Sequence, residues 1–127
     1  MKSLWINLPV KDIAAAISFY GSIGFKVNMG PMPQIAMAHI GESKILLVER
    51  QAFSEMLPNQ LVDPNQANEV LLSIEVADAA KLDRIVESIK LFGGQILLGP
   101  SMINGYYGCL FTDPDGHKFN LMVLPEQ

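Results

Sequence analysis

The chain has 127 residues, half of them hydrophobic, and a formal net charge of −4 at neutral pH. This length fits one domain or two half-size modules that share a core, and a single cysteine permits no intrachain disulfide. The acidic balance disfavours nucleic-acid binding, and no apolar run approaches the roughly 20 residues that span a bilayer. Since the N-terminus enters a strand pattern and shows no signal peptide, we expect a cytoplasmic protein with no membrane partner.

The first half of the chain has a β-α-β-β-β pattern. Alternating apolar residues predict a strand over residues 4–10, and Asp12 then stands where a helix N-cap is expected. Apolar residues at helical spacing predict a helix over residues 13–22, with Gly24 as its C-terminal glycine. Three further strands are predicted over residues 25–29, 35–40 and 44–49.

The second half repeats this order after a polar segment. Residues 51–68 contain two prolines and indicate a linker with a short helix near residues 53–57. A break at Gly99-Pro100 is expected to end a strand, and Asp113-Pro114-Asp115-Gly116 suits a type I turn. The predicted elements are strands over 70–76, 95–98, 106–112 and 117–124, and a helix over 79–92.

An internal repeat links the two halves. Val10 and Val76 lie 66 positions apart, and so do Asp12 and Asp78. A repeat of this length indicates one supersecondary unit used twice. The predicted fold is therefore α+β, with two paired βαβββ modules forming a curved mixed β-sheet cavity and the helices on its outer face. We expect one domain over residues 1–127, with module 1 at about 3–50, the linker at 51–68 and module 2 at about 69–125.

Several short motifs carry a resemblance to a known family. They are Asn7-Leu8-Pro9-Val10-Lys11-Asp12, Phe19-Tyr20, Gly24-Phe25, Gly93-Gly94 and Asp113-Pro114-Asp115-Gly116-His117. With the repeat, the chain resembles the vicinal oxygen chelate superfamily, which includes glyoxalase I, bleomycin-resistance proteins and extradiol dioxygenases. The motifs look closest to the small bacterial subgroup labelled predicted lactoylglutathione lyases. The resemblance implies paired βαβββ modules, a funnel-like cavity and a homodimer, and the mean hydropathy of +0.26 also favours a buried subunit interface.

The resemblance also implies four metal-ligand positions, one on each of four strands. Carried onto this chain, the first falls on Trp5, its module-two counterpart on Leu71 and the last on Asn120. The fourth falls on Leu47, or on Glu49 if the alignment shifts by two residues. Because Trp5 and Leu71 offer no useful donor atom, we expect no metal in the usual site and no other cofactor.

The repeat and the resemblance together predict the residues that face the cavity. Trp5 and Asn7 share one strand face, and the repeat places Leu71 and Ser73 at the equivalent positions. Tyr107 keeps an aromatic position of the resembled subgroup. The predicted ligand-binding set is Trp5, Asn7, Leu47, Glu49, Leu71, Ser73, Tyr107, Asn120 and Met122.

Three residues outside that set, two histidines and the cysteine, have side chains of a type that can take part in catalysis or metal binding. His39 alternates with the alanines of its strand and could point inward. His117 is expected to order the hairpin turn, and Cys109 to be a buried, inert thiol.

Three functions stay open from the sequence. The first is metal-free binding of a small, mostly apolar or aromatic molecule. The alternative is an enzyme of the family, such as a lactoylglutathione lyase-like protein or another lyase, isomerase or dioxygenase. Such an enzyme would be metal-independent and would use Glu49, His39 or Tyr107 as its base. The third is a scaffold protein. The motifs assign no catalytic residue and identify no ligand.

Overall fold

The computed structural model describes residues 1–125 and divides the chain into two compact units. The first unit spans Met1–Val62, and the second begins at Asp63. The first contains β1 (Trp5–Val10), α1 (Ile13–Ser22), β2 (Lys26–Met29), β3 (Ile35–Ile40), β4 (Ser43–Glu49) and α2 (Arg50–Met56). The second contains β5 (Leu71–Glu75), α3 (Ala79–Leu91), β6 (Gln95–Ile103), β7 (Tyr106–Thr112) and β8 (Lys118–Val123).

Each unit is built on one four-stranded mixed sheet. The strand orders are β1-β4-β3-β2 and β5-β8-β7-β6. The first strand of each unit pairs in parallel with the last, and the remaining pairs are antiparallel. These sheets confirm the predicted α+β class and the repeated β-α-β-β-β order. None of the helices within residues 1–125 combines the length and apolar character needed to cross a membrane.

In the first unit, α1 packs on one face of the sheet. Asp12 caps the helix, because its carboxylate accepts a hydrogen bond from the Ala15 N–H at 3.2 Å. Phe19 of the helix is buried, as are Ala36 and Ala38 of β3. Two alanines on this strand face leave room for a helix to approach closely, so this side of the sheet is the core of the unit.

In the second unit, α3 takes the corresponding place. Asp78 accepts a hydrogen bond from the Lys81 N–H at 2.8 Å, which confirms that the helix begins as the repeat predicts. The helix buries one apolar stripe, of which Val86 is 2% exposed. Below it, the rings of Phe111 and Phe119 stack with centroids 5.2 Å apart. The opposite face of this sheet carries no helix of its unit, and we call it the distal face.

Two elements differ from the sequence prediction. Helix α2 begins at Arg50 and not near residue 53, because the Glu49 carboxylate caps it by accepting hydrogen bonds from Gln51 N at 2.7 Å and Ala52 N at 3.3 Å. Strand β6 does not end before Gly99-Pro100 but continues to Ile103 through a cis peptide bond and two register shifts. The sheet tolerates proline there because β6 is an edge strand, whose outward N–H groups need no partner.

The predicted hairpin turn is confirmed between β7 and β8. Gly116 N donates to the Asp113 carbonyl at 3.1 Å, and the buried Asp113 carboxylate accepts from Asp115 N at 3.0 Å and from His117 N at 2.8 Å. These bonds satisfy backbone N–H groups that the turn would otherwise leave unpaired. Asp113 therefore orders the turn through its side chain, and the His117 backbone takes part in it.

Replacing Gly116 with alanine should destabilise the second unit by roughly 2–3 kcal/mol. Its φ of +95° disfavours any side chain, and an added Cβ would lie 2.4 Å from Asn65 Oδ1. Moving Asn65 would also lose its hydrogen bond to the Asp115 carbonyl. Gly41→Ala is the matched control, because φ there is +51° with nothing within 4 Å, and should cost only about 1 kcal/mol. Urea denaturation measures both, and equal losses would contradict the steric argument.

Candidate functional site

Four residues predicted to bind ligand lie together on the distal face of the second sheet. Parallel pairing sets Ser73 of β5 opposite Asn120 of β8. Leu71 and Met122 lie two residues away on these strands, and therefore on the same face. Leu71 is 54% exposed, whereas Asn120 is 5% exposed. The face thus holds one buried polar group surrounded by more accessible apolar side chains.

Asn120 is the centre of a polar cluster on this face. Its Nδ2 donates to Tyr106 Oη at 3.0 Å and to Ser73 Oγ at 3.4 Å, which uses both hydrogens of the amide. Its Oδ1 is buried and accepts no hydrogen bond from any residue between 1 and 125. An unpaired buried acceptor costs roughly 1–3 kcal/mol, so this oxygen is suited to a donor that comes from a ligand. We call Ser73, Tyr106 and Asn120 the polar trio.

The Tyr106 ring can reach Asn120 because Gly108 has no side chain. The two residues lie on the same face of β7, and a Cβ on Gly108 would come within 2.9 Å of Tyr106 Cε2. The ring therefore lies across Gly108, toward Leu110, the cross-strand partner of Asn120. Sequence reasoning missed Tyr106. The two-residue period of β7 puts Tyr106 on the same side as Leu110, but only the β7–β8 register shows that this side carries Asn120.

A cavity of about 300 Å³ is lined by neighbours of the polar trio, among them Leu110, the cross-strand partner of Asn120, but by none of the trio's own residues. Leu71, Leu110 and Lys118 are among its walls and lie on the same face as Asn120. The Lys118 ammonium donates to the Pro64 carbonyl, so this charge already has a partner. The complete lining is Asn68, Glu69, Val70, Leu71, Leu97, Leu110, Lys118 and Phe119. Most of these side chains are apolar, which favours an apolar ligand group next to a polar anchor.

Two further predicted residues, Trp5 and Asn7, lie in the first unit on the sheet face opposite α1. Trp5 is 44% exposed, its Nε1 donates to Ser3 Oγ at 3.0 Å, and the Lys44 ammonium lies 5.0 Å from its ring centroid. Asn7 follows two residues later on the same strand face. His39 is the cross-strand partner of Lys44, and its Nδ1 is buried without a hydrogen-bond partner in the described part of the chain.

The structure corrects the face assigned to Leu47 and Glu49. In the parallel pairing of β1 with β4, Leu47 lies opposite Leu8, so it shares the α1 face and is fully buried. Glu49 lies opposite Val10, and its carboxylate caps α2. The sequence prediction placed both with Trp5 and Asn7, because hydrophobic alternation in one strand does not reveal which residues of the neighbouring strand share its face.

Tyr107 also lies on the opposite face from the one predicted. Its hydroxyl donates to Asp83 Oδ1 of α3 at 2.6 Å, and this hydrogen bond is the first cause that raises the pKa of Tyr107 above its ordinary 10.0. Adjacent residues of a strand point to opposite sides, so Tyr106 and Tyr107 cannot both face the cavity. Tyr107 connects β7 to α3, and Tyr106 lies on the distal face in its place.

The expectation of a buried Cys109 is confirmed. The residue has 0% exposure on the α3 side of β7. Burial raises the pKa of its thiol from 9.0 to about 11, against a smaller lowering by Lys90. The thiol is therefore protonated at neutral pH and is a poor nucleophile.

We predict that Cys109 reacts slowly with dithionitrobenzoate in the folded protein. At pH 8 the pKa shift alone leaves about a hundredfold less thiolate than in the unfolded chain, and burial blocks the reagent further. The unfolded thiol ionises first as pH rises, so this group's contribution to stability should be intact below pH 9 and lost by about pH 11. Reaction rates with and without 8 M urea, about the concentration that unfolds most domains, provide the test. Equal rates would refute burial of the thiol.

Comparison with known proteins gives a family for this arrangement. The family model described as the bleomycin resistance protein-like N-terminal domain matches residues 2–41. A solved structure of the hypothetical protein SA1046 from S. aureus has 33% sequence identity and a TM-score of 0.90, with 98% of this chain and 95% of that chain covered. No curated protein matches the sequence.

Two more distant structures share the fold. A glyoxalase-related enzyme from Fulvimarina pelagi is 20% identical with a TM-score of 0.85, covering 98% of this chain and 90% of that one. Lactoylglutathione lyase from Agrobacterium tumefaciens is 17% identical with a TM-score of 0.67, covering 95% and 92%. The chain belongs to the vicinal oxygen chelate superfamily. Its placement in the predicted lactoylglutathione lyase subgroup stays a prediction.

The residues of this superfamily member do not fit the superfamily's metal. In the parallel pairings, Trp5 lies opposite Lys44 and Leu71 lies opposite Lys118. Asn120 follows Lys118 by two residues, so its counterpart in the first unit is the residue two after Lys44. That residue is Leu46, and neither Leu47 nor Glu49. Leu46 and Leu71 have no donor atom, and the Trp5 indole nitrogen carries a hydrogen that it donates to Ser3. Within residues 1–125, no three His, Cys, Asp or Glu side chains come close enough to hold an ion. Asn120 alone offers an oxygen, which is insufficient for a divalent cation.

We therefore predict that metal ions neither bind to nor stabilise the protein. EDTA should leave its melting temperature unchanged, and added Zn²⁺, Ni²⁺ or Mn²⁺ should not raise it. Elemental analysis of protein purified without chelator provides the second measurement. Stoichiometric metal, with a rise in melting temperature that Asn120→Ala abolishes, would show that the superfamily site survives here.

Proposed function

We propose that this protein binds a small, neutral, mostly apolar or aromatic molecule on the distal face of its second sheet, without a metal. The observation that carries the proposal is the buried, unpartnered Asn120 Oδ1, whose cross-strand neighbour Leu110 lines an apolar cavity. A cavity of about 300 Å³ is of the size of small ligand sites, which combine apolar walls with a few placed polar groups. The names of the structural neighbours, glyoxalase and bleomycin resistance protein, also favour small-molecule chemistry.

The charges around the cavity support a neutral ligand. Glu69 and Lys118 are both in its lining, so their formal charges cancel. Lys118 is also engaged by the Pro64 carbonyl, which makes it less available to an anion. An apolar molecule would gain about 25 cal/mol for each Å² of apolar surface that it buries here.

A second candidate function is metal-independent catalysis with His39 as the base. The observation in its favour is the buried His39 Nδ1, which has no partner within residues 1–125. Of the three bases that the sequence suggests, Glu49 is occupied as a helix cap and Tyr107 is bonded to Asp83. His39 alone keeps a nitrogen available for proton transfer. The homodimer and the cytoplasmic location stay predictions from composition and resemblance.

Indole is a suitable first probe, because it is small, neutral and aromatic. We expect it to shift the amide NMR signals of Ser73, Leu110 and Asn120, and not those of α3. Leu71→Glu should weaken binding by roughly tenfold or more, since a carboxylate at the cavity wall would be desolvated by the ligand. Leu91→Glu is the matched control, because that leucine is 79% exposed at the end of α3.

Two outcomes would decide between the candidates. Absence of shifts on the distal face at millimolar indole and related aromatic fragments would refute the binding proposal. Appearance of new product signals from a bound compound, lost in His39→Gln, would favour the enzyme.

A further inference from the structure

We infer that the polar trio selects a neutral group that carries an N–H donor and a C=O acceptor side by side, as in a primary carboxamide or a lactam. The inference rests on the proposed function, because it specifies which compounds the distal site accepts. It goes further by naming the chemistry of the group at the anchor. Tyr106, which the sequence prediction omitted, becomes a specificity-determining residue of the site.

The donor side of this selection follows from Asn120. Its two N–H bonds are already directed to Tyr106 Oη and Ser73 Oγ, so the amide cannot donate to a ligand as well. Its remaining group is the buried Oδ1, which accepts only. A ligand must therefore bring a hydrogen to this oxygen, and an N–H is suited to it.

The acceptor side follows from the two hydroxyls. Tyr106 and Ser73 each accept a hydrogen bond from Asn120, which leaves the hydrogen of each hydroxyl free to donate elsewhere. A carbonyl oxygen has two lone pairs and can accept from both. A carboxamide thus pairs one N–H with Asn120 and its C=O with the hydroxyls, which satisfies the free hydrogen-bonding groups of the trio.

Charged groups satisfy the trio less well. A carboxylate would place oxygen lone pairs against Asn120 Oδ1, and it would have no hydrogen to offer. An amidinium would supply hydrogens to Asn120, but it has no acceptor for the Tyr106 and Ser73 hydroxyls. Asn120 is 5% exposed, so an Oδ1 left without a donor carries the desolvation penalty of a buried acceptor.

The apolar cavity sets the rest of the ligand. Leu110 lies opposite Asn120 in the β7–β8 register and is also part of the cavity wall. A group held by the trio therefore has an apolar space next to it, where an aromatic ring or a short hydrocarbon can be buried. Benzamide combines both features and is the probe of choice.

The test compares four benzene derivatives by titration calorimetry on the full chain, three of nearly equal shape and one with two methyl groups added on nitrogen. These are benzamide, benzoate, benzamidinium and N,N-dimethylbenzamide. We expect benzamide to bind roughly tenfold more tightly than each of the others, because each of them loses about one buried hydrogen bond to the trio. Tyr106→Phe should reduce its affinity about tenfold, since one hydroxyl donor is lost. Tyr107→Phe is the matched control and should leave it unchanged, because Tyr107 bonds to Asp83 on the other side of the strand.

Asn120→Asp gives a second, independent readout if Tyr106→Phe fails to fold. The aspartate keeps the shape of asparagine but replaces the amide with an anionic acceptor. We expect benzamide to lose about tenfold and benzamidinium to become the preferred probe. A preference for benzamide that survives both variants would overturn the inference.

The outcomes separate this inference from the proposed function. If benzoate or N,N-dimethylbenzamide binds as well as benzamide, the selection by the trio is wrong while binding at the site stands. If indole binds and none of the four compounds does, the inference is likewise wrong. If neither indole nor benzamide binds, the proposed function itself fails.

Discussion

Parallel pairing of the first and last strands of each unit is the constraint on which the site depends. In the second unit this pairing puts Ser73 opposite Asn120 and turns both away from α3. In the first unit the same pairing puts Asn7 opposite Leu46 and directs Leu47 into the core. A shift of β8 by one residue would turn Asn120 into the core under α3 and turn the Phe119 ring out of it. The apolar core therefore holds the register that assembles the polar trio.

The same register explains how this superfamily member differs in chemistry from a metal-using one. A divalent ion needs several oxygen or nitrogen donors directed at one point. The four equivalent positions here are Trp5, Leu46, Leu71 and Asn120, and only the last supplies an oxygen. Since Asn120 also donates to two hydroxyls, the position has become part of a neutral hydrogen-bonding cluster. An amide at this position is suited to hydrogen bonds with uncharged polar groups.

Most of the secondary structure could be predicted from the sequence. Helix α1 spans residues 13–22 as predicted, because a capping aspartate, a run of helical spacing and Gly24 all mark its bounds. The sequence prediction was wrong at two element boundaries. Glu49 ends β4 and also caps α2, and Pro100 lies within an edge strand that it was expected to end. The Glu49 cap is local, whereas the place of Pro100 depends on strand pairing with residues distant in sequence, which local propensity does not describe.

The sequence by itself determined the repeat, the α+β class and the superfamily, because each depends on residue type and spacing. It also pointed to Ser73 through the repeat and to Asn120 through the family resemblance. Only the tertiary structure decided that Tyr106 and not Tyr107 joins them, and that Leu47 and Glu49 face away from the predicted site. The physical reason is that a strand has two faces. Which face meets a helix depends on the pairing of strands that are distant in sequence.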